Sequence, residues 1–156
     1  MTSTTKHFDA IIIGTGQAGP PLAARFAAAG KTVAIIERDK FGGTCVNTGC
    51  IPTKTLVASA YAIHLARRGA EYGFVTGDVR VDIKRVKARK DAVSGRSSKG
   101  VEESLRGTGN CTVIQGQARF QSSNTVAVND EVLQADKIYI NVGAREIGRA
   151  SCRERV

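Results

Sequence analysis

Residues 8–19, Phe8-Asp9-Ala10-Ile11-Ile12-Ile13-Gly14-Thr15-Gly16-Gln17-Ala18-Gly19, decide the fold. The run from Ala10 to Ile13 leaves no polar face, the pattern of a short strand buried on both sides, and Gly14 ends it. Gly14, Gly16 and Gly19 then occupy the three glycine positions of G-x-G-x-x-G. From Gln17 to Ala29 the chain is rich in Ala and Leu, with Pro20 and Pro21 tolerable only near a helix N-terminus and Gly30 placed to close the helix. Val33-Ala34-Ile35-Ile36, introduced by the β-branched Thr32 and ended by Glu37, reads as a second buried strand and completes a strand, helix, strand unit. In that setting the glycines permit a tight turn, close approach of a pyrophosphate and tight helix packing, while helix N-terminal amides hold the phosphate. Glu37 stands where a carboxylate accepts hydrogen bonds from ribose hydroxyls. A ligand-free glycine-rich turn uses the same residue types; the strand, helix and carboxylate around this one favour a dinucleotide. The fingerprint alone does not choose between FAD and NAD.

Working outward, Cys45 and Cys50 form a close pair among only four cysteines in 156 residues, too few for a secreted disulfide framework. Zinc is the simplest rival, yet a structural zinc site needs four ligands and Cys111 has no companion. Thr53 to Arg68 is a helix candidate with Pro52 suited to its first turn. A cysteine at the start of such a helix has its thiolate stabilised by the helix dipole and nearby amides, which favours exchange near neutrality. Cys50 occupies that place, and Cys45 lies further out in the loop.

Gly42-Gly43-Thr44-Cys45-Val46-Asn47-Thr48-Gly49-Cys50-Ile51-Pro52-Thr53-Lys54 closely resembles the redox-active disulfide segment of the flavin-dependent pyridine nucleotide-disulfide oxidoreductases, which include dihydrolipoamide dehydrogenase, glutathione reductase and mercuric reductase. The resemblance runs from Phe8 to about Arg145 and implies FAD on the Gly14/Gly16/Gly19 turn, with Glu37 at the ribose. It makes Cys50 the flavin-facing thiol and Cys45 the interchange thiol that attacks substrate. A buried structural disulfide is the alternative role for the pair, one that is rare in cytosolic chains. Lys54 matches the family lysine near the reactive edge of the flavin, although an isolated lysine is ordinarily a solvated helix residue. Gly43 and Thr44 would line the flavin and its phosphates, and Gly143 resembles the glycine at the strand end that returns to FAD. Val142 replaces the commoner Thr beside it. In a complete enzyme electrons would pass from NAD(P)H through FAD to the Cys45/Cys50 pair and on to a small-molecule substrate, a thiol, disulfide or metal ion. The complete enzyme is expected to be a homodimer. Flavin binding without turnover is the competing expectation for this chain.

The expected fold is α/β: an incomplete Rossmann-like FAD-binding domain over residues 1–145, with a parallel sheet and an antiparallel β-meander. Asp82 to Leu105 reads as a helix interrupted by Gly95 and Gly100. Thr112–Ile114, Ala118–Gln121 and Thr125–Val128 read as the meander, and Lys137–Val142 as a return to a buried sheet. Cys111 reads as a small core residue, and His7 and His64 lack metal-ligand companions, so no metal site is expected. The net charge of +9 is concentrated between Arg80 and Arg106, with nine basic and four acidic residues. That stretch lacks interleaved aromatics and any nucleic-acid motif, so it reads as a solvated helix face. No apolar run approaches the roughly 18–20 residues of a membrane span, and Met1 to Lys6 is polar, pointing to the cytoplasm. Residues 146–156 resemble the translation of a DNA-sequencing adapter. The nicotinamide and dimerisation domains of the family are expected to be missing from the chain.

Overall fold

The first strand forms because Ala10, Ile11 and Ile12 cannot face water, and in the computed structural model, which describes residues 5–144, all three are fully buried. Residues 146–156, with their expected adapter origin, lie outside the described residues. The elements run β1 (Thr5–Ile13), α1 (Gly19–Ala28), β2 (Val33–Glu37), α2 (Gly43–Asn47), α3 (Cys50–Arg67), a 3-10 turn (Gly69–Tyr72) and α4 (Ile83–Arg106). The rest is β: β3 (Cys111–Gln115), β4 (Arg119–Phe120), β5 (Thr125–Val128) and β6 (Glu131–Ile140). One six-stranded sheet joins them in the order β3-β2-β1-β6-β5-β4. β1 pairs parallel with β2, aligning Ile12 with Ile35, and parallel with β6 on its other side, aligning Ile12 with Tyr139.

The two faces of this sheet carry separate cores. Ala10, Ile12, Val33 and Ile35 pack under the helices with Ala23, Phe41 and Leu105, while Ile11, Ala34 and Ile36 pack against Val126, Val128, Leu133 and Ala135. Burial on both faces explains the uninterrupted apolar runs that the sequence shows for β1 and β2. Ile11, Ile12, Ile35 and Ile36 are at most 1% exposed, and each contributes roughly 1.5–3 kcal/mol by leaving water.

An α/β fold with parallel sheet and meander is therefore present, with four local differences from expectation. Thr112–Ile114 does not begin the meander: β3 pairs parallel with β2, Ile35 against Val113, and the antiparallel strands are β4, β5 and β6. Gly95 and Gly100 do not interrupt α4, which is capped by the Asp82 carboxylate accepting from the Arg85 amide at 3.1 Å. A mid-helix glycine costs about 1 kcal/mol relative to alanine, and packing on α3 and core burial of Leu105 offset that cost. α3 begins at Cys50 rather than Thr53, since Pro52 occupies a first-turn position whose missing N–H would have no helical partner anyway. Lastly, β6 starts at Glu131 and its end is not buried, with Ile140 66% and Val142 63% exposed.

The basic stretch is an outward helix face, as expected. Lys87 pairs with Asp91, Lys99 with Glu103 and Arg106 with Glu102, each at helical i,i+4 spacing. Among the described residues no helix is long and apolar enough to cross a membrane.

Candidate active site at the carboxyl ends of the strands

Strand order reverses at β1, which has β2 on one side and β6 on the other. In open α/β sheets such a switch point leaves a crevice beyond the carboxyl ends of the strands. Here it is a cavity of about 700 Å³, bordered by the ends of β1, β2 and β6 and by the cysteine segment. Its size lies within the roughly 300–1,000 Å³ of small-molecule and cofactor sites.

The glycine turn follows β1 directly. The Gly14 amide donates to the Ile36 carbonyl at 2.7 Å, and the Asn141 amide donates to the Ile13 carbonyl at 2.8 Å, so three strand ends are knotted at one point. Gly14 has φ +104°, and a Cβ there would lie 2.2 Å from the Asn141 carbonyl oxygen. Gly19 opens α1 behind the turn, where a Cβ would sit 2.4 Å from the Gly14 carbonyl oxygen. Only glycine fits both places, which lets the strand ends, the turn and α1 approach one another this closely.

Glu37 ends β2 at the rim. Its Oε2 accepts from the Thr15 hydroxyl at 2.6 Å and the Thr15 amide at 3.0 Å, and its Oε1 accepts from the Asp39 amide at 3.0 Å. Partial burial works against ionisation, but the hydrogen bonds from Thr15, Asp39 and Arg38 outweigh it and hold the carboxyl below its ordinary range. Glu37 is therefore an ionised hydrogen-bond acceptor at neutral pH.

The cysteine segment forms the facing wall. Phe41 is 4% exposed and anchors the segment in the helix-side core. Its carbonyl accepts from Ser98 Oγ of α4 at 2.8 Å and from Asn47 Nδ2 at 2.9 Å. Cys45 lies in the short helix α2 rather than in a loop, held by buried Val46 beside it. The chain then turns sharply, with the Thr48 and Gly49 amides both donating to the Thr44 carbonyl, and α3 starts at Cys50. That turn brings the Cys45 and Cys50 Cα atoms to 4.7 Å, within the disulfide range, and the two are bonded. Cys50 sits in the first turn of an 18-residue helix that has no acidic residue there, leaving the positive end of its dipole unopposed.

Of the residues singled out in the sequence, Gly14, Gly16 and Glu37 border the cavity at one side, Gly43, Thr44, Cys45 and Cys50 along the wall, and Gly143 at the end of β6. Gly19 stands behind the turn and Lys54 is exposed, neither bordering the cavity; Lys54 follows Cys50 by one turn on the same helix face. Two residues that the sequence did not flag also hold the site. Thr15 is fully buried, although fingerprint position x specifies nothing about it. Asn141 also borders the cavity and reaches the Gly14 carbonyl through Nδ2 at 3.4 Å. The contact spans 127 residues, and no local pattern announces it. Cys111 is half-buried in β3, and burial pushes its thiol pKa up, as befits a core residue. Among the described residues no group of three or more His, Cys, Asp or Glu side chains could hold a metal ion.

The family model for pyridine nucleotide-disulphide oxidoreductases matches residues 8–149. The chain belongs to this family. It is 34% identical over 144 residues to a dihydrolipoyl dehydrogenase of Acholeplasma laidlawii, covering 92% of this chain and 43% of that protein. It is 35% identical over 138 residues to a mercuric reductase of Lysinibacillus sphaericus, covering 88% of this chain and 25% of that protein. Among solved structures, the HOCl-induced flavoprotein disulfide reductase RclA of Escherichia coli superposes with a TM-score of 0.74 at 35% identity, over 92% of this chain and 30% of that one. The chain thus spans 25–43% of the length of these oxidoreductases, and the disulfide-bonded pair on the cavity wall fits a redox-active centre.

Proposed function

We propose that this chain is the flavin-binding part of an NAD(P)H-dependent disulfide oxidoreductase whose redox centre is Cys45–Cys50. One observation carries the reading: the glycine turn, the ionised Glu37 and the cysteine pair border a single cavity. The residues present fit FAD: Gly14, Gly16, the Glu37 carboxylate and the cysteine pair line one cavity, and a Cβ at Gly14 or Gly19 would collide with the backbone that shapes the turn beside it. The turn amides not spent on Ile36, Glu37 and Gly16, those between Gly16 and Ala18, would hold the pyrophosphate, Glu37 the adenosine ribose, and Gly43, Thr44 and Gly143 would flank the cofactor, with Lys54 a cation near Cys50. Bound FAD would supply two electrons taken from NAD(P)H, whose own domain the family resemblance places elsewhere in a complete enzyme.

The chain's own chemistry starts at the disulfide. With two electrons and two protons the Cys45–Cys50 bond opens to two thiols. The Cys45 thiolate attacks one sulfur of a substrate disulfide, forming a mixed disulfide and expelling the first substrate thiolate. The Cys50 thiolate then attacks Cys45 sulfur, re-forming the intramolecular bond and releasing the second. The α3 N-terminus favours the Cys50 thiolate that this step requires. The same two sulfurs suit a soft metal ion as substrate, the chemistry named for the Lysinibacillus relative. On this reading the complete enzyme is a cytoplasmic homodimer acting on small molecules.

Anaerobic reductive titration tests the proposal. The FAD-loaded chain should take up two electron pairs, one for flavin and one for the disulfide, and the Cys45→Ser variant only one. A wild-type chain that takes up one pair, or none through flavin, overturns the redox reading.

A further inference from the structure

Thr15 is fully buried, and its hydroxyl bonds two separate parts of the site, the Glu37 carboxylate and the Gly42 amide. A carboxylate can only accept, so the 2.6 Å contact fixes the Thr15 hydroxyl proton toward Glu37 Oε2. That leaves the hydroxyl lone pairs for the Gly42 amide, which donates to Thr15 Oγ1 at 3.2 Å. Gly42 is the N-cap of α2, the helix that carries Cys45, and Gln17 Nε2 of the glycine turn donates to its carbonyl at 3.3 Å. One fully buried hydroxyl therefore links the glycine turn, the carboxylate and the cysteine segment.

We propose that Thr15 is a positioning residue for ribose recognition, holding the Glu37 carboxylate at the angle that meets the ribose diol and tying that carboxylate to the start of the cysteine segment. This rests on the flavin reading of the cavity and adds a specificity role for a side chain that the glycine fingerprint leaves open. Valine at this position would preserve the shape and remove the hydroxyl. Glu37 Oε2 would keep only the Thr15 amide, the Gly42 amide would lose its partner, and the carboxylate, left with the Thr15 and Asp39 amides, would lose its shortest hydrogen bond and the angle that bond sets. Serine would restore both hydrogen bonds.

The test uses the whole chain and competition of ADP and of 2′-deoxy-ADP against FAD, followed by flavin fluorescence, with far-UV circular dichroism as the check on folding. A hydrogen bond from a ribose hydroxyl to a charged acceptor corresponds to about a tenfold preference for ADP over 2′-deoxy-ADP. Wild type and Thr15→Ser should show that preference. Thr15→Val should lose it, to within about twofold, while keeping its affinity for 2′-deoxy-ADP. A folded Thr15→Val chain that still prefers ADP overturns the positioning role while leaving the flavin reading intact. If Thr15→Val does not fold, Thr15→Ser decides: loss of the preference in a folded serine variant refutes the hydroxyl as its source, and retention supports it. A wild-type chain that binds FAD but does not discriminate the two nucleotides also refutes the inference. Failure of wild type to bind FAD or ADP removes the flavin reading and this inference with it.

Discussion

Gly19→Ala separates local propensity from tertiary packing, because the two predict opposite signs. Gly19 is the first residue of α1, and alanine is the better helix former by up to about 1 kcal/mol. Propensity alone therefore predicts stabilisation. The structure predicts the reverse, since the new Cβ would lie 2.4 Å from the Gly14 carbonyl oxygen and 3.1 Å from Asn141 Nδ2. The first of these is a backbone atom, pinned by the strand-end hydrogen bonds, so relief requires α1 to move away from the turn by about 1 Å to restore van der Waals contact. Overpacking of this kind costs about 1–3 kcal/mol, and subtracting about 1 kcal/mol for propensity leaves a net loss of up to about 2 kcal/mol. With a urea m-value of about 2 kcal/mol/M, the middle of the range for small proteins, the unfolding midpoint should fall by up to about 1 M. FAD affinity should fall with it, because the displaced amides no longer converge on one phosphate position. Gly95→Ala is the matched control: its Cβ meets nothing within 4 Å, so it should stabilise by about 0.5–1 kcal/mol. A Gly19→Ala midpoint at or above wild type would refute the close-approach argument, whatever its effect on flavin.

Two further outcomes follow from the site. In the reduced chain without flavin, Cys50 is the more exposed of the pair and lies at the helix N-terminus, so limited alkylation should label it before Cys45; saturating FAD should reverse the order. Peptide mapping by mass spectrometry reads this directly, and an order unchanged by FAD would contradict the placing of flavin against Cys50. FAD affinity should also depend on acid through Glu37, whose folded carboxyl titrates below its ordinary value of 4.5. FAD affinity is linked to the carboxyl of the folded, flavin-free chain, which stays ionised until pH falls through its depressed value, so wild type should hold FAD evenly from neutrality through 4.5 and weaken only at lower pH. Glu37→Gln should bind more weakly at neutral pH and lose most of this acid dependence, and identical profiles for the two chains would rule out Glu37 as the titrating acceptor.

How much of this was legible in the sequence depended on how far apart the contacting residues lie. The β1-α1-β2 unit could be read because its signals are local: a two-sided apolar run, three glycines at fixed spacing, and a carboxylate at the next strand end. The cysteine segment was equally readable, as both cysteines and the helix that follows lie within one short stretch. The partner of β3 was not. Thr112–Ile114 has the same β-type residues whether it begins a meander or lies parallel to β2, and its pairing with residues 34–36 is settled only when α4 crosses the sheet. The uninterrupted course of α4 through Gly95 and Gly100 is of the same kind, a tertiary override of local preference.

The contacts that set distances inside the site are also non-local. Thr15 reaches Glu37 across 22 residues and Gly42 across 27, and Asn141 reaches Gly14 across 127. None changes a motif residue, so substitutions at Thr15 or Asn141 would leave every recognisable pattern in place. They would nevertheless loosen the relation between the glycine turn, the carboxylate and the cysteine pair. A preorganised site depends on positions held to about half an ångström, so two chains with identical fingerprints could differ in flavin affinity through these two side chains alone. In this fold the motifs supply the chemical groups, and the buried cross-links between them supply the geometry on which the proposed electron path depends.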